Sequence, residues 1–342
     1  MRAIQHARAA GALILIGVAA CDNVNWGGAD FAIVPPPPQA QGGPGVSAGD
    51  STVERLPEGP ILYYVVPSAE GGTMVPIAEV AGDTLNALRA VQDPASFAAL
   101  FISEHMRQGS EFVLFRAGIR AGTLIVQSAE ALPGSGECAA IPRATGTLEL
   151  GPVAAQAREF LALSKLHAPQ VPRRVDQDLA PGRNMQVIAP ILAERLMRAR
   201  RAGLPGNWQR AMAQLQPFPL ATMQQPGYAT TFLVGDTLGP GLDDDGYSIF
   251  YIGIPNQVSY DTAYVDYRPY PEGGKSAPRV VDFLDWDRDE QVELLLQVYG
   301  VSDRWFEAVG STGGRWRRIF RDRCEVTTPA PMPAAGAADS AR

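Results

Sequence analysis

The chain has 342 residues, 46% of them hydrophobic, with 29 basic residues against 36 acidic and a net charge of −7. That acidity argues against nucleic acid and anionic lipid surfaces as partners, because both would repel it. The length suggests one large domain or two small ones, and the hydrophobic fraction is that of an ordinary globular protein.

The start of the chain carries Arg2 and Arg8, then the apolar run Ala12–Val18, then Val18-Ala19-Ala20-Cys21. A basic start, a short apolar centre and small residues before a cut are the three parts of a secretory signal. The run is too short to span a bilayer, which takes about 20 apolar residues. Small residues followed directly by cysteine resemble the bacterial lipobox, in which the cysteine is lipidated and becomes the new N-terminus. The resemblance implies export, cleavage of residues 1–20, and attachment to the cell envelope through acyl chains such as palmitate on Cys21, with the body facing the periplasm. Asp22 resembles the inner-membrane retention signal of some bacteria, and the choice between inner and outer membrane stays open. Cleavage would remove two arginines and no acid, making the mature chain more acidic still.

Residues 21–57 read as a tether. Pro35–Pro38 is expected to be stiff polyproline II, and the Gly, Ala, Ser and Gln of 39–51 flexible coil. Residues 327–342 form a second low-complexity Ala/Pro tail. With Cys21 acylated, Cys138 and Cys324 remain as an even pair, which an oxidising compartment would join as one disulfide. In the chain-entropy model, closing so long a loop is worth about 4–5 kcal/mol. Two buried free thiols are the alternative.

Residues 58–225 read as an α+β region. Strands are expected at 61–66 and 74–80. A helix is expected at 93–108, with Asp93 as N-cap, Pro94 in its first turn and Phe97, Leu100, Phe101 and Met106 inward. A hairpin follows at 111–115 and 122–127, then a strand at 146–150 and helices at 153–166 and 190–201. The last would turn Ile191, Leu192 and Leu196 inward, and Arg195, Arg198, Arg200 and Arg201 outward. Four outward arginines suit an anion site or a plain solvated face. Residues 226–326 read as β-rich, with strands at 230–234, 248–254, 262–267, 279–283, 293–299, 305–309 and 315–320. Gly, Pro, Asp and Asn clusters separate them, as in an antiparallel meander. Trp305 and Trp316 would pair across the last hairpin.

Within this half, Asp285-Trp286-Asp287-Arg288-Asp289-Glu290-Gln291-Val292-Glu293 puts acids at loop positions 1, 3, 5 and 9 before a strand. Alternate carboxylates on a tight loop converge on one point, and hard oxygen ligands suit Ca²⁺. The segment resembles the calcium loop of FG-GAP and related integrin-type repeats. By that resemblance Asp285, Asp287, Asp289 and Glu293 would be ligands, with Asp282 as a further contributor. The family's sixth position is Gly; here Glu290 must accept a positive φ or open the loop. Asp243-Asp244-Asp245-Gly246 and the run to Pro255 resemble the same family's loop-to-strand junction, but Ile249 stands at the ninth position. Acid-rich hairpin turns without metal are the competing reading of both. The fold class expected is therefore α+β: a mixed N-terminal half, then an antiparallel, partly propeller-like half. Residues 60–225 hold no further copies, so a complete propeller is not expected.

Catalytic motifs are sparse. Gly45-Val46-Ser47-Ala48-Gly49 fits the nucleophile pattern but lies in the tether, without strand before or helix after. His105 and His167 each fall late in an expected helix, where a histidine favours the dipole. No His-Glu-x-x-His, Walker A or dinucleotide fingerprint is present. Glu104, Glu111, Asp266 and Asp282 are available as a glycosidase pair. The sequence thus reads as a membrane-tethered, non-enzymatic binding or structural module with a protein or glycan partner in the envelope; the alternative is a glycan-directed hydrolase using two carboxylates.

Overall fold

A computed structural model describes residues 56–88, 93–133, 140–169, 179–221, 223–241 and 245–322. Cys21, the Gly45–Gly49 motif, Cys138, Cys324, Asp243 and Asp244 lie outside the described residues.

Strands β1 (Ile61–Ser68), β2 (Gly71–Ala81), β3 (Thr84–Ala87), β4 (Glu111–Arg116), β5 (Ile119–Pro133), β6 (Ala140–Leu150) and β7 (Phe160–Ser164) form one antiparallel sheet. Its order is β1-β7-β4-β5-β6-β2-β3, and β1 also pairs with β2, so six strands close into a barrel and β3 hangs on β2 as a hairpin. Ile61, Tyr63 and Val65 join Phe112, Leu114, Leu124 and Phe160 in the cluster that fills it. Helix α1 (Pro94–His105) adds Phe97 and Phe101 to that cluster. As expected, the helix starts where Asp93 accepts from the Ser96 amide at 3.1 Å, with proline in the first turn. Leu100 is exposed, contrary to expectation: the inward stripe runs through Phe97, Ala98 and Phe101. Barrel closure needs small residues between strands. A Cβ on Gly122 or Gly146 would collide with the carbonyl of Glu149 or Ile125 across the β5–β6 pair.

The expected N-terminal mixture of helix and strand is thus mostly strand. Of the helix expected over 153–166, only a 3-10 turn at Pro152–Ala154 forms, and Phe160-Leu161-Ala162-Leu163 is a strand between β1 and β4. The reason is burial on both faces. Phe160 and Ala162 face the barrel interior, whereas Leu161 and Leu163 face the next layer, so no period-2 alternation marks the strand.

Helix α2 (Arg183–Arg200) starts before the expected Pro190, which sits inside it and withdraws one backbone donor. Met185, Ala189, Leu192, Ala193 and Met197 form its buried stripe; Ile191 lies off that stripe and is 49% exposed rather than inward. With α3 (Trp208–Ala211), α2 covers an outer sheet of β8 (Met212–Phe218), β9 (Gly227–Val234), β10 (Tyr247–Pro255) and β11 (Tyr260–Pro269). The short α4 (Tyr270–Gly273) leads to an inner sheet of β12 (Ala277–Leu284), β13 (Glu293–Tyr299), β14 (Arg304–Thr312) and β15 (Arg315–Arg321). Each sheet is a sequential antiparallel meander, and all seven strands expected after residue 226 are present. The outer sheet also draws in β8, from upstream of that point.

The two meanders stack face to face, with Phe218, Phe250 and Ile252 against Val280, Leu294, Leu296 and Val309. The other face of the inner sheet, through Val281, Leu295, Phe306 and Ala308, packs on Leu62, Tyr64 and Val66 of the barrel wall. Layers therefore run helices, outer sheet, inner sheet, barrel. Two stacked meanders are as far as the likeness to a propeller goes among the described residues. No helix among them is long and apolar enough to cross a membrane.

A charged cluster sits between barrel and inner sheet. Arg279 donates to both oxygens of Glu159 (2.6 and 2.8 Å) and to Gln297 Oε1 (2.8 Å), and the Tyr64 hydroxyl donates to Glu159 Oε2 (2.9 Å). Trp305 and Trp316 do not pair. The register sets Ser311 opposite Trp316, while Trp305 lies opposite Val298 on β13. Trp305 instead donates to Glu307, and Trp316 packs on Phe218.

Candidate metal centre

The acidic loop joins β12 to β13. Both flanking strands are buried on both faces, so its two ends are fixed by the stacked layers. Within the loop, Asp287 Oδ1 accepts from the Asp289 amide (3.1 Å) and Asp289 Oδ1 from the Gln291 amide (2.8 Å). Such side-chain turns are what closely spaced aspartates do locally. Arg288 and Glu290 both lie at φ +70°, so the position where the resembled family has glycine does take the left-handed conformation. An L-residue there costs about 1–2 kcal/mol.

Oxygens of Asp285, Asp287 and Asp289 all lie within 4.8 Å of one another. Two oxygens on opposite sides of a bound Ca²⁺ are about 5 Å apart, since each bond is about 2.3–2.6 Å. The three carboxylates are therefore already at coordinating separations, and Asp285 Oδ1 is buried without a hydrogen-bond partner among the described residues. The donor set is all oxygen, which fits a hard cation. Burial pushes the Asp287 carboxyl up to about 6, with the Asp289 and Asp285 charges adding to it, and burial raises Asp285 as well. Carboxylates held this close repel, and a cation would remove that repulsion.

Glu293 stands apart from the trio. It is 3% exposed at the start of β13, and its Oε2 accepts from the Trp286 amide at 3.2 Å. Burial, then the Asp287 charge, pushes its carboxyl up to about 9. It lies outside the group within 4.8 Å, and the charges of Asp287, Asp289 and Asp285 all act on it. Asp282 points elsewhere: its two oxygens accept from the Ala117 amide in the β4–β5 turn (2.9 and 3.0 Å), and Arg116 lies 3.5 Å away.

Of the four carboxyls considered for acid–base work, two share one cavity and two lie elsewhere. Asp266 is paired with Arg268 near Glu307, and Asp282 is buried at the barrel wall. Glu104 and Glu111 both line a cavity of about 610 Å³ at the barrel mouth, paired with Arg107 (2.8 Å) and Lys165 (2.6 Å). The arginines of α2 form a solvated face: Arg198 pairs with Glu194, and Arg200 lies over the Tyr267 ring.

Sequence reasoning missed the barrel-mouth cavity, which His105 and His167 line. His105 is in the last turn of α1 as expected, but His167 follows a strand, where no helix exists to cap. It also missed that Arg288, inside the acidic loop, reaches back to donate to the His167 carbonyl at 2.9 Å.

Comparison with protein-family models, curated proteins and solved structures finds no match for this chain.

Proposed function

We propose that the chain is a lipid-anchored, non-enzymatic binding or structural module of the bacterial envelope, organised by Ca²⁺ at the loop between β12 and β13. The leader and Cys21 support the anchor, and residues 21–57 support a tether that holds the body clear of the membrane. The observation that carries the calcium reading is the convergence of Asp285, Asp287 and Asp289 within 4.8 Å. Glu293 would add a ligand from behind the loop through the oxygen that does not accept from the Trp286 amide. The bound ion would supply charge neutralisation and would fix the turn between two strands that pack both meanders together. The module's partner is then a protein or glycan of the envelope.

A thermal melt of the full chain in EDTA and in millimolar Ca²⁺ tests the metal. Ca²⁺ at a hundredfold over Kd should stabilise by about 2.7 kcal/mol, and Asp287→Ala should abolish the shift. An equal midpoint in both buffers would leave the loop as an acid-rich turn and overturn the calcium reading. Labelling with radioactive palmitate in a bacterial host tests the anchor. Incorporation lost in Cys21→Ser is the expected result, and unlabelled wild-type protein would refute the lipoprotein.

A further inference from the structure

Lysine is scarce in this chain: of its 29 basic residues, 27 are arginine and two, Lys165 and Lys275, are lysine. Lys165 pairs with Glu111 in an exposed bridge, which any cation could make. Lys275 is placed differently. It lies between α4 and β12 with its side chain 1% exposed, and Nζ donates to Asp236 Oδ1 at 2.6 Å and to the Thr237 carbonyl at 3.2 Å. Asp236 follows the end of β9, and its side chain is 6% exposed. Arginine is the better cation for a buried ion pair, since its planar fork matches a carboxylate and is more weakly hydrated. What lysine offers at this position, and arginine does not, is an amine that can act as a nucleophile.

The carboxyl is held as an electrophile would be. Its Oδ1 accepts from Lys275 and also from the Thr237 amide at 2.7 Å, while Oδ2 accepts from the Tyr270 hydroxyl at 2.8 Å. Asp236 Cγ is one carbon–oxygen bond beyond Oδ1, and so within about 4 Å of Nζ. Reacting atoms in a near-attack arrangement are about 3–3.5 Å apart. Tyr270, itself buried, is fixed at the start of α4 by its amide, which donates to the Gly246 carbonyl at 3.0 Å. A Cβ on Gly246 would meet the Tyr270 ring at 2.9 Å, so the glycine lets the ring close over the pair. Close packing of this kind keeps bulk water from the reacting groups.

We propose that Lys275 and Asp236 condense to an amide cross-link inside the folded protein, with Tyr270 as the donor that stabilises the developing oxyanion. The Lys275 ammonium passes one proton to Oδ1 along their hydrogen bond. The freed amine attacks Cγ, and the electron pair of the carbonyl moves to Oδ2, where the Tyr270 hydroxyl holds it. A second proton then passes from Nζ to Oδ1, the Cγ–Oδ1 bond breaks, and one water leaves. The third ammonium hydrogen stays on the amide nitrogen, so no outside acid, base or oxidant is needed. The bond joins the end of β9, in the outer sheet, to the start of β12, in the inner sheet. It ties the two meanders covalently, independently of the calcium and anchor readings.

Peptide mass mapping of the full chain, purified folded and then denatured and digested with trypsin, tests this without a variant. Arg268 precedes a proline, so a free Lys275 ends a peptide spanning residues 211–275. The cross-link should block that cut and leave residues 211–279 as one peptide, lighter by one water. Lys275→Arg keeps the ion pair and should restore both the cut and the full mass. Loss of the same water in an Asp245-Gly246 succinimide would instead leave Lys275 cleavable and persist in Lys275→Arg. Asp236→Ala should also free Lys275. Tyr270→Phe, followed by pulse-labelling in the producing cells, should slow bond formation by about a hundredfold. A cleavable Lys275 at full mass in aged wild-type protein would overturn the proposal, as would a blocked Lys275 that survives Asp236→Ala. Equal rates in Tyr270→Phe and wild type would refute the part given to the tyrosine.

Discussion

The fork between Arg279 and Glu159 is the sharpest place to test how the barrel is held to the inner sheet. Glu159 is 7% exposed and accepts two charge-assisted bonds from Arg279, at 2.6 and 2.8 Å, and one from Tyr64 at 2.9 Å. Arg279→Met strips it of both charged bonds. What remains is the tyrosine hydroxyl and Arg116, whose Nη1 lies 3.7 Å from Oε1. Removing one partner of a buried ion pair costs about 3–5 kcal/mol, because the other charge stays buried. Arg116 can take up part of that load, so the lower end, about 3 kcal/mol, is expected. Glu159→Met should cost a similar amount by stranding the guanidinium. The double variant removes both charges of the pair; Tyr64 and Gln297 each lose a partner, at about 1 kcal/mol apiece. Arg116 loses Glu159 but keeps Asp282 at 3.5 Å. It should therefore be more stable than either single variant. Urea denaturation followed by tryptophan fluorescence gives all four stabilities. Additive losses in the double variant would show that the two residues do not act as a buried pair, and the reasoning would be wrong.

Two further predictions concern the barrel. Burial pushes the Asp282 carboxyl up to about 7, with Arg116 partly opposing it. The native state thus holds this proton more tightly than the unfolded chain, whose carboxyl titrates near about 4. Asp282 therefore adds stability that is full below that pH and is lost as pH rises to about 7. Urea midpoints in EDTA should show wild type losing ground to Asp282→Asn across that window, and a constant difference would count against the assignment. Gly146→Ala should cost about 1–3 kcal/mol by forcing β5 and β6 apart. Gly82→Ala, in the β2–β3 turn with nothing within 4 Å of the added methyl, should cost about 1 kcal/mol, from its φ of +59° alone. Thermal melts of the two variants decide this, and equal losses would mean that crowding at the β5–β6 pair is not what Gly146 relieves.

The C-terminal meanders were legible because turn-forming clusters such as Pro255-Asn256, the Pro271-Glu272-Gly273-Gly274 run and Ser311-Thr312-Gly313-Gly314 punctuate them. The helix after Asp93 was equally legible, since its cap and proline are local signals. What was not legible is what depends on the far chain. Phe160 to Leu163 lacks alternation because one face fills the barrel and the other meets the inner sheet. Pro190 looks like a helix start, yet tertiary packing of Met185 and Ala189 carries the helix through it. At the acidic loop, spacing alone indicated that Asp285, Asp287 and Asp289 converge. That Glu293 sits behind them on the Trp286 amide follows from how β13 is buried. That His105 and His167 line one cavity follows from barrel closure, which no local pattern encodes.

The barrel wall formed by Leu62, Tyr64 and Val66 is covered by β12 to β15, the last of the described strands to be made. A chain that emerges N-terminus first has every barrel strand available once Ser164 is out, yet one side stays greasy until Ala277 and beyond have followed. The order of synthesis thus runs against the order of protection. Any product that stops between residues 165 and 276, whether by proteolysis or by early termination, leaves this apolar flank of the barrel strands uncovered. The final meander is in this sense a lid on the protein's own solubility, and its loss should be felt as aggregation before it is felt as unfolding.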